Sequence, residues 1–370
     1  MGSRLPAHSR VLVALLVAGA TGAVHGQSAN LTLYGRINLD LELVRGTTST
    51  GTPPVLNDDW VTRLSSNSSR FGLRGTESLG GGLSAIFQIE SSVSADAGGG
   101  TIAGRDTFVG LRGEWGTVRF GYMKLPYDTV NGVFGNVPTF TSSILDTESV
   151  WGNGSSLSSG GYPYRAPNSI RYDFPGRYIE GLNWGAQYSF TESNTTRGTF
   201  SFGGTWTSGP WQLGGVYQYN NGARAPGLDD WGYSVAGAYD FGAFRFAAVW
   251  EQLKYDTPTG SLKRNFWGVS GTVDIGPGQL YAWYGNGGDG GGGAANGTSV
   301  GGLARGPDTS VDHYEISYSY PLSKRTTVYT GYVKINNDDN ASYNFATNPI
   351  SNLAVGGKPE GFLVGMCHNF

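Results

Sequence analysis

The chain is poor in charge, cysteine and histidine, and it contains no apolar run long enough to cross a bilayer as a helix. Charged residues make up 14% of the 370 residues, against about 25% in a typical soluble domain. That shortage argues against a surface wholly solvated by water. The single cysteine, Cys367, excludes an intrachain disulfide, and its neighbourhood carries nothing that would activate a thiol. A packed thiol in the last segment is expected. The longest apolar run, Val11 to Ala20, falls short of the roughly 20 residues a spanning helix needs. It follows Arg4 and Arg10 and precedes small residues, the layout of a cleaved export leader. Cleavage is expected after Gly26, with a cut after Ala29 as the alternative.

Loss of that leader removes two of the 25 basic groups and leaves 23 against 28 acidic ones, five net negative charges. No basic excess remains to neutralise phosphates, which excludes nucleic acid as a partner. Of the four histidines, only His313 and His368 survive processing, and neither stands in a catalytic motif. An enzyme needs a base within reach of a nucleophile or water, so no enzyme is expected. The same scarcity leaves no Cys/His metal site. Asp338-Asp339 reads as a solvated turn. Glycine-rich 285–293 lacks the Lys-Ser/Thr ending of a phosphate loop and reads as a surface loop. No cofactor is implied.

Glycine, by contrast, supplies 61 residues, and aromatics 13%. From Leu31 to Leu43 one parity reads Leu31, Leu33, Gly35, Ile37, Leu39, Leu41, Leu43, and the other Thr32, Tyr34, Arg36, Asn38, Asp40, Glu42. Alternation of this kind puts one set on each face of a strand, whereas a helix would mix them. Sixteen such segments can be placed, from Leu31 to Val44 through Gly361 to Phe370. Several connections between them are short turn sequences, such as Leu79-Gly80-Gly81-Gly82, Glu114-Trp115-Gly116, Gly209-Pro210 and Ile275-Gly276-Pro277-Gly278. The intervening ones are mostly longer and polar: 45–60, 95–104, 128–164, 286–311 and 337–360. Short turns on one rim and long loops on the other, with tyrosine and tryptophan near strand ends, describe an antiparallel transmembrane β-barrel. Its apolar face turns to lipid and its polar face, such as His313, Glu315, Ser317 and Ser319, turns inward.

Four passages give the chain a family resemblance. They are Leu31-Thr32-Leu33-Tyr34-Gly35; Ser69-Arg70-Phe71-Gly72-Leu73-Arg74-Gly75, running through Glu77 into Leu79-Gly80-Gly81-Gly82-Leu83; Phe108-Val109-Gly110-Leu111 with Gly116-Thr117-Val118 and Gly121; and Tyr320-Pro321-Leu322-Ser323-Lys324-Arg325-Thr326. In this order the chain resembles the general trimeric porins of Gram-negative outer membranes, especially the beta-proteobacterial type. A fifth signal is Phe362, Val364, Met366 and Phe370, similar to the terminal segment read by the barrel-assembly machinery. The family often has arginine where this chain has Cys367. The resemblance implies an all-β, 16-stranded antiparallel barrel over 27–370, a homotrimer in the outer-membrane lipid. Its long third loop, 128–164, would fold into the pore as a constriction.

The implied activity is passive diffusion of small hydrophilic solutes and ions; the alternative is a substrate-specific channel for small organic anions or sugars. Carried over from the family, the basic wall of the constriction would be Arg36, Arg70, Arg105 and Arg165. Alternation supports Arg36 and Arg70 independently and leaves Arg105 ambiguous. For each of the four the alternative is a solvated lumen or rim group. A lipid-facing arginine would cost about 2–4 kcal/mol near the midplane, which favours inward placement. Asp128, Asp146 and Glu148 are the loop acids, with Asp146 and Glu148 preferred because they lie mid-loop. The stretch Asn136-Val137-Pro138-Thr139-Phe140 lacks the acidic Pro-Glu-Phe-Gly-Gly of enterobacterial relatives, and a weak preference for anions is the resulting expectation.

Overall fold

The computed structural model describes residues 30–50, 55–136, 142–192 and 197–370, Ala223 through its backbone alone. The proposed leader, 1–26, lies outside the described residues. Sixteen antiparallel strands close into one barrel. They are β1 (Asn30–Arg45), β2 (Val61–Ser66 continued by Arg70–Gly80), β3 (Leu83–Val93), β4 (Thr107–Gly113), β5 (Gly116–Lys124), β6 (Arg165–Asp173), β7 (Leu182–Phe190) and β8 (Gly198–Ser208). The second half comprises β9 (Trp211–Ala225), β10 (Leu228–Asp240), β11 (Phe244–Thr257), β12 (Gly260–Ile275), β13 (Gly278–Gly287), β14 (Val311–Pro321), β15 (Thr326–Asn337) and β16 (Glu360–Asn369). Each pairs with its sequence neighbours, and β1 pairs with β16 from Arg36↔Asn369 to Arg45↔Glu360. Closure leaves no open edge, as a lipid environment demands.

Side-chain alternation follows from this closure. On β1, Leu31 and Leu33 are 63% and 62% exposed on the outside, while Asp40 and Glu42 are 1% and 0% exposed on the inside. Phe370 completes the seam: its N–H donates to Gly35 O and its C=O accepts from Gly35 N, both at 3.1 Å. Its ring fills the space a side chain at position 35 would need, since a Cβ there would lie 2.2 Å from the ring. The β2–β3 turn runs through Gly80, Gly81 and Gly82 at φ 85°, 58° and 79°, a left-handed succession that only glycine adopts without strain.

The structure moves several boundaries. β4 begins at Thr107, so Arg105 stands in the preceding loop and not on the strand. β5 ends at Lys124, and the third long connection therefore spans 125–164. The Asn220-Asn221-Gly222 stretch lies inside β9, where the pairing with β10 shifts register between Asn220 and Ala225. As a result β9–β10 and β11–β12 are joined by tight turns on the long-loop rim. β2 is interrupted at Asn67-Ser68-Ser69, with Ser68 at φ 53°, and the gap is bridged by Asn67 N donating to Asn38 O at 2.8 Å and Asn38 N donating to Ser69 Oγ at 2.9 Å.

Candidate functional site

The 125–164 segment folds as short helical turns, with Pro126 opening the first and Asp146 capping another through its bond from Glu148 N (3.0 Å). Its apolar residues Tyr127, Val130, Val133, Phe134, Ile144, Leu145, Val150, Trp151 and Tyr162 are all fully buried. They pack on the inward parity of the second half of the barrel, where Leu253, Tyr255, Leu262, Phe266, Tyr281 and Trp283 form one cluster with them. Phe134 stacks on Trp283 at 5.2 Å and meets Trp151 edge-on at 5.3 Å.

Polar anchors accompany this packing. Glu251 on β11 and Arg264 on β12 form an ion pair of 2.7 Å with both side chains wholly buried. The Glu251 carboxylate also accepts from Tyr127 OH (3.0 Å) and from Gly152 N (2.9 Å). Arg264 Nη1 donates to Val150 O and to Tyr343 OH, both at 2.9 Å. Further along, Ser270 Oγ and Tyr281 OH donate to Phe134 O at 2.7 and 2.8 Å, Trp151 Nε1 donates to Ser234 Oγ at 3.1 Å, and Asn136 Nδ2 donates to Glu315 Oε1 at 2.7 Å. Of the stretch Asn136 to Phe140, only Asn136 is among the described residues.

Across from this packed side, Arg36, Arg70, Arg105, Lys124 and Arg165 line a single cavity of about 370 Å³, whose other charged members are Asp128 and Glu148 of the loop segment. Arg36 and Arg70 stand directly opposite one another in the β1–β2 register, an arrangement of like charges that is destabilising without compensation. Compensation comes from the wall itself. Glu90 on β3 takes Arg105 at 2.5 Å and Arg70 at 3.8 Å and accepts from Tyr34 OH at 3.0 Å. Asp106 takes Arg165 at 2.7 Å, and Lys124 reaches Asp128 at 2.7 Å and Glu148 at 3.1 Å. Among the described residues Arg36 alone of the five has no carboxylate partner; its Nε donates to Asn369 Oδ1 at 3.1 Å. Five cations face four carboxylates, an excess of one positive charge when all are ionised.

Thus four of the arginines and Glu148 meet at one place, while Asp146 lies behind the loop surface, outside the cavity lining. Burial pushes the Asp146 carboxyl up to about 7. Burial also raises Glu148, against the pull of Lys124. For Asp128 burial is overridden by the Lys124 ammonium, which holds it below the usual carboxylate range. Glu90, Asp106 and Lys124 are the members that sequence reasoning missed. Glu90 is legible in the alternation, since Ile89 is outward and Glu90 inward. Cys367 is a buried free thiol, and His313 is buried, accepting from Trp283 Nε1 at 3.3 Å. Among the described residues no group of three or more metal-ligating side chains occurs.

Comparison with known proteins agrees with this architecture. Residues 12–340 match the family model described as Gram-negative porin. Outer membrane porin protein 32 of Delftia acidovorans is 26% identical over 97% of this chain and 99% of its own length. The solved anion-selective porin from Comamonas acidovorans superposes with a TM-score of 0.73 at 23% identity, covering 93% of this chain and all of that one. OmpT of Vibrio cholerae in its trimer form superposes with a TM-score of 0.64 at 14% identity over 93% of this chain and all of its own. A polar-lined, closed barrel of sixteen strands with this family match has one reading: the chain belongs to the Gram-negative porin family, and it is an outer-membrane channel, not an enzyme.

Proposed function

We propose that segment 125–164 narrows the channel to the space beside the cationic wall, and that this constriction makes the pore weakly anion-preferring. The observation that carries the reading is the unmatched guanidinium of Arg36 in a cavity where every other cation has a carboxylate partner. A net charge of one sign in a narrow, low-dielectric passage lowers the barrier for counter-ions, and a single excess charge supports a preference that is weak. The anion selectivity named for the Comamonas porin is in keeping with it. Measured in a planar bilayer under a salt gradient, the reversal potential should lie on the anion side; a cation-selective wild-type channel would overturn the reading.

The assembly is proposed to be a homotrimer, like the trimer form of OmpT. Its contact face would be the outer surface of β1–β3 and β16, where Leu31, Leu33, Leu41, Leu64, Val364 and Met366 are exposed. Strand tryptophan and tyrosine, which favour the membrane interface, gather instead on the far side, as in Trp211 with Tyr239 (4.6 Å) and Trp267 with Tyr284 (5.3 Å). Leu33→Arg should convert trimers to monomers in non-denaturing electrophoresis. Phe370 would be the residue read by the barrel-assembly machinery; truncation before it should lower the yield of folded barrel in the outer membrane.

A further inference from the structure

The long-loop rim holds a second cavity, of about 310 Å³, whose lining residues carry no charged side chain. Three loops build it: the later part of segment 125–164 gives Asn153, Ser155 and Ser156, the turn between Ser299–Val300 and Leu303–Ala304 closes one side, and the last long loop gives Ser342, Tyr343 and Phe345. Two polar groups that open on this cavity are unused by the protein. The hydroxyls of Ser155 and Ser342 have no partner among the described residues. Asn153 donates through Nδ2 to Tyr255 OH (3.1 Å) and Val300 O (3.0 Å), which fixes this part of the cavity wall. The same Asn153 is held at φ 57°, a left-handed conformation that a non-glycine residue keeps only when its surroundings impose it.

An ion would gain nothing here, since leaving water for neutral groups costs it heavily. A neutral solute bearing several hydroxyls loses little, because each hydroxyl both donates and accepts, as do those of Ser155 and Ser342. The volume lies at the lower end of the roughly 300–1,000 Å³ typical of ligand pockets, a space for one ring and not for a chain. We propose that this cavity is a docking station for a neutral monosaccharide on the loop side of the channel, separate from the cationic cavity that serves anions.

The test is the potassium chloride current through reconstituted channels as glucose is added on the loop side. The wild type should show a saturable fall in current on top of the linear decline that viscosity causes. Ser342→Trp, which fills the cavity, should leave only the linear part, and the double variant S155A/S342A should weaken half-saturation about tenfold through the loss of two hydrogen-bonding groups. Neither serine lines the cationic cavity, so the current without sugar should equal that of the wild type, which separates failure of this site from failure of the channel. A purely linear response in the wild type, or unchanged saturation in the double variant, would overturn the proposal. So would a saturable effect confined to a charged analogue such as gluconate, because that locates binding at the arginines.

Discussion

The two halves of the barrel wall treat the same inward parity in opposite ways. From β1 to β6 it carries Arg36, Arg70 and Arg165, half-buried beside open space, the last two ion-paired and Arg36 unmatched. From β11 to β13 it carries Leu253, Tyr255, Phe266, Tyr281 and Trp283, all buried. The strands are alike in pairing and differ in what lies against them. Where water occupies the interior, charge is cheap to keep and useful for sorting ions; where the loop segment lies, the wall becomes a protein core and obeys packing rules. The ion pair of Glu251 with Arg264 on the packed side has both side chains wholly excluded from solvent. It contributes little net stability, since desolvation offsets the attraction. What it does supply is position, because it grips the loop at Tyr127, Val150 and Gly152 together.

Breaking that grip is the largest effect expected. Glu251→Ala leaves the buried Arg264 without a counter-charge, at a cost of about 3–5 kcal/mol. The urea midpoint of the folded barrel should drop, and single-channel traces should show larger, noisier openings as the segment loses its anchor. The double variant E251Q/R264M removes the stranded charge. It should recover most of the stability yet keep the noise, which separates positioning from stability. Quiet, wild-type openings in both variants would mean that apolar packing alone holds the segment.

On the cationic half, the unmatched residue and the shared acid predict opposite signs. Arg36→Gln removes the single excess charge and should bring the reversal potential close to zero. Glu90→Gln frees both Arg70 and Arg105 and should push it further toward anions, by more than the loss at Arg36 moves it back, because two guanidinium groups lose a carboxylate at 2.5 and 3.8 Å. Equal reversal potentials in the two variants would show that the wall does not set selectivity.

The difference between the halves also explains what the sequence could reveal. Lipid enforces alternation on every outward face, so all sixteen strands are visible in the order of residues, and the inward arginines of β1 and β2 with them. On β11 to β13 the inward parity also carries large apolar residues, packed on the loop, and the reason lies far away: Glu251 meets Tyr127 across 124 positions and Arg264 meets Val150 across 114. Local pattern carries no trace of such contacts. The acids beside the arginines were half legible. Glu148 lines the cavity, but Glu90 and Asp106 reach the arginines through strand register and loop geometry, and Asp146 is diverted to a helix cap. Arg105, ambiguous by alternation, proved to be a loop residue whose backbone N–H is fixed by Glu90 O at 3.1 Å.

The smallest expected effect joins the two halves through pH. Asp146 lies on the loop behind the cationic cavity, and burial pushes its carboxyl up to about 7; Glu148 is raised by the same cause. Below that range Asp146 is neutral and the positive excess near the arginines stands unopposed. As pH rises through about 7 it gains a negative charge, so anion preference should decline between pH 6 and 8. A carboxyl raised above its unfolded value favours the fold while protonated, so the urea midpoint should decline as pH rises from about 4, the ordinary Asp range, to about 7, with the loss complete above it. Asp146→Asn keeps the helix cap in large part and removes the titration. Its reversal potential should stay at the low-pH wild-type value and change less with pH. A profile as steep as the wild type's would assign the pH dependence to Glu148 alone, and only a flat wild-type profile would remove the loop acids from the selectivity of the channel.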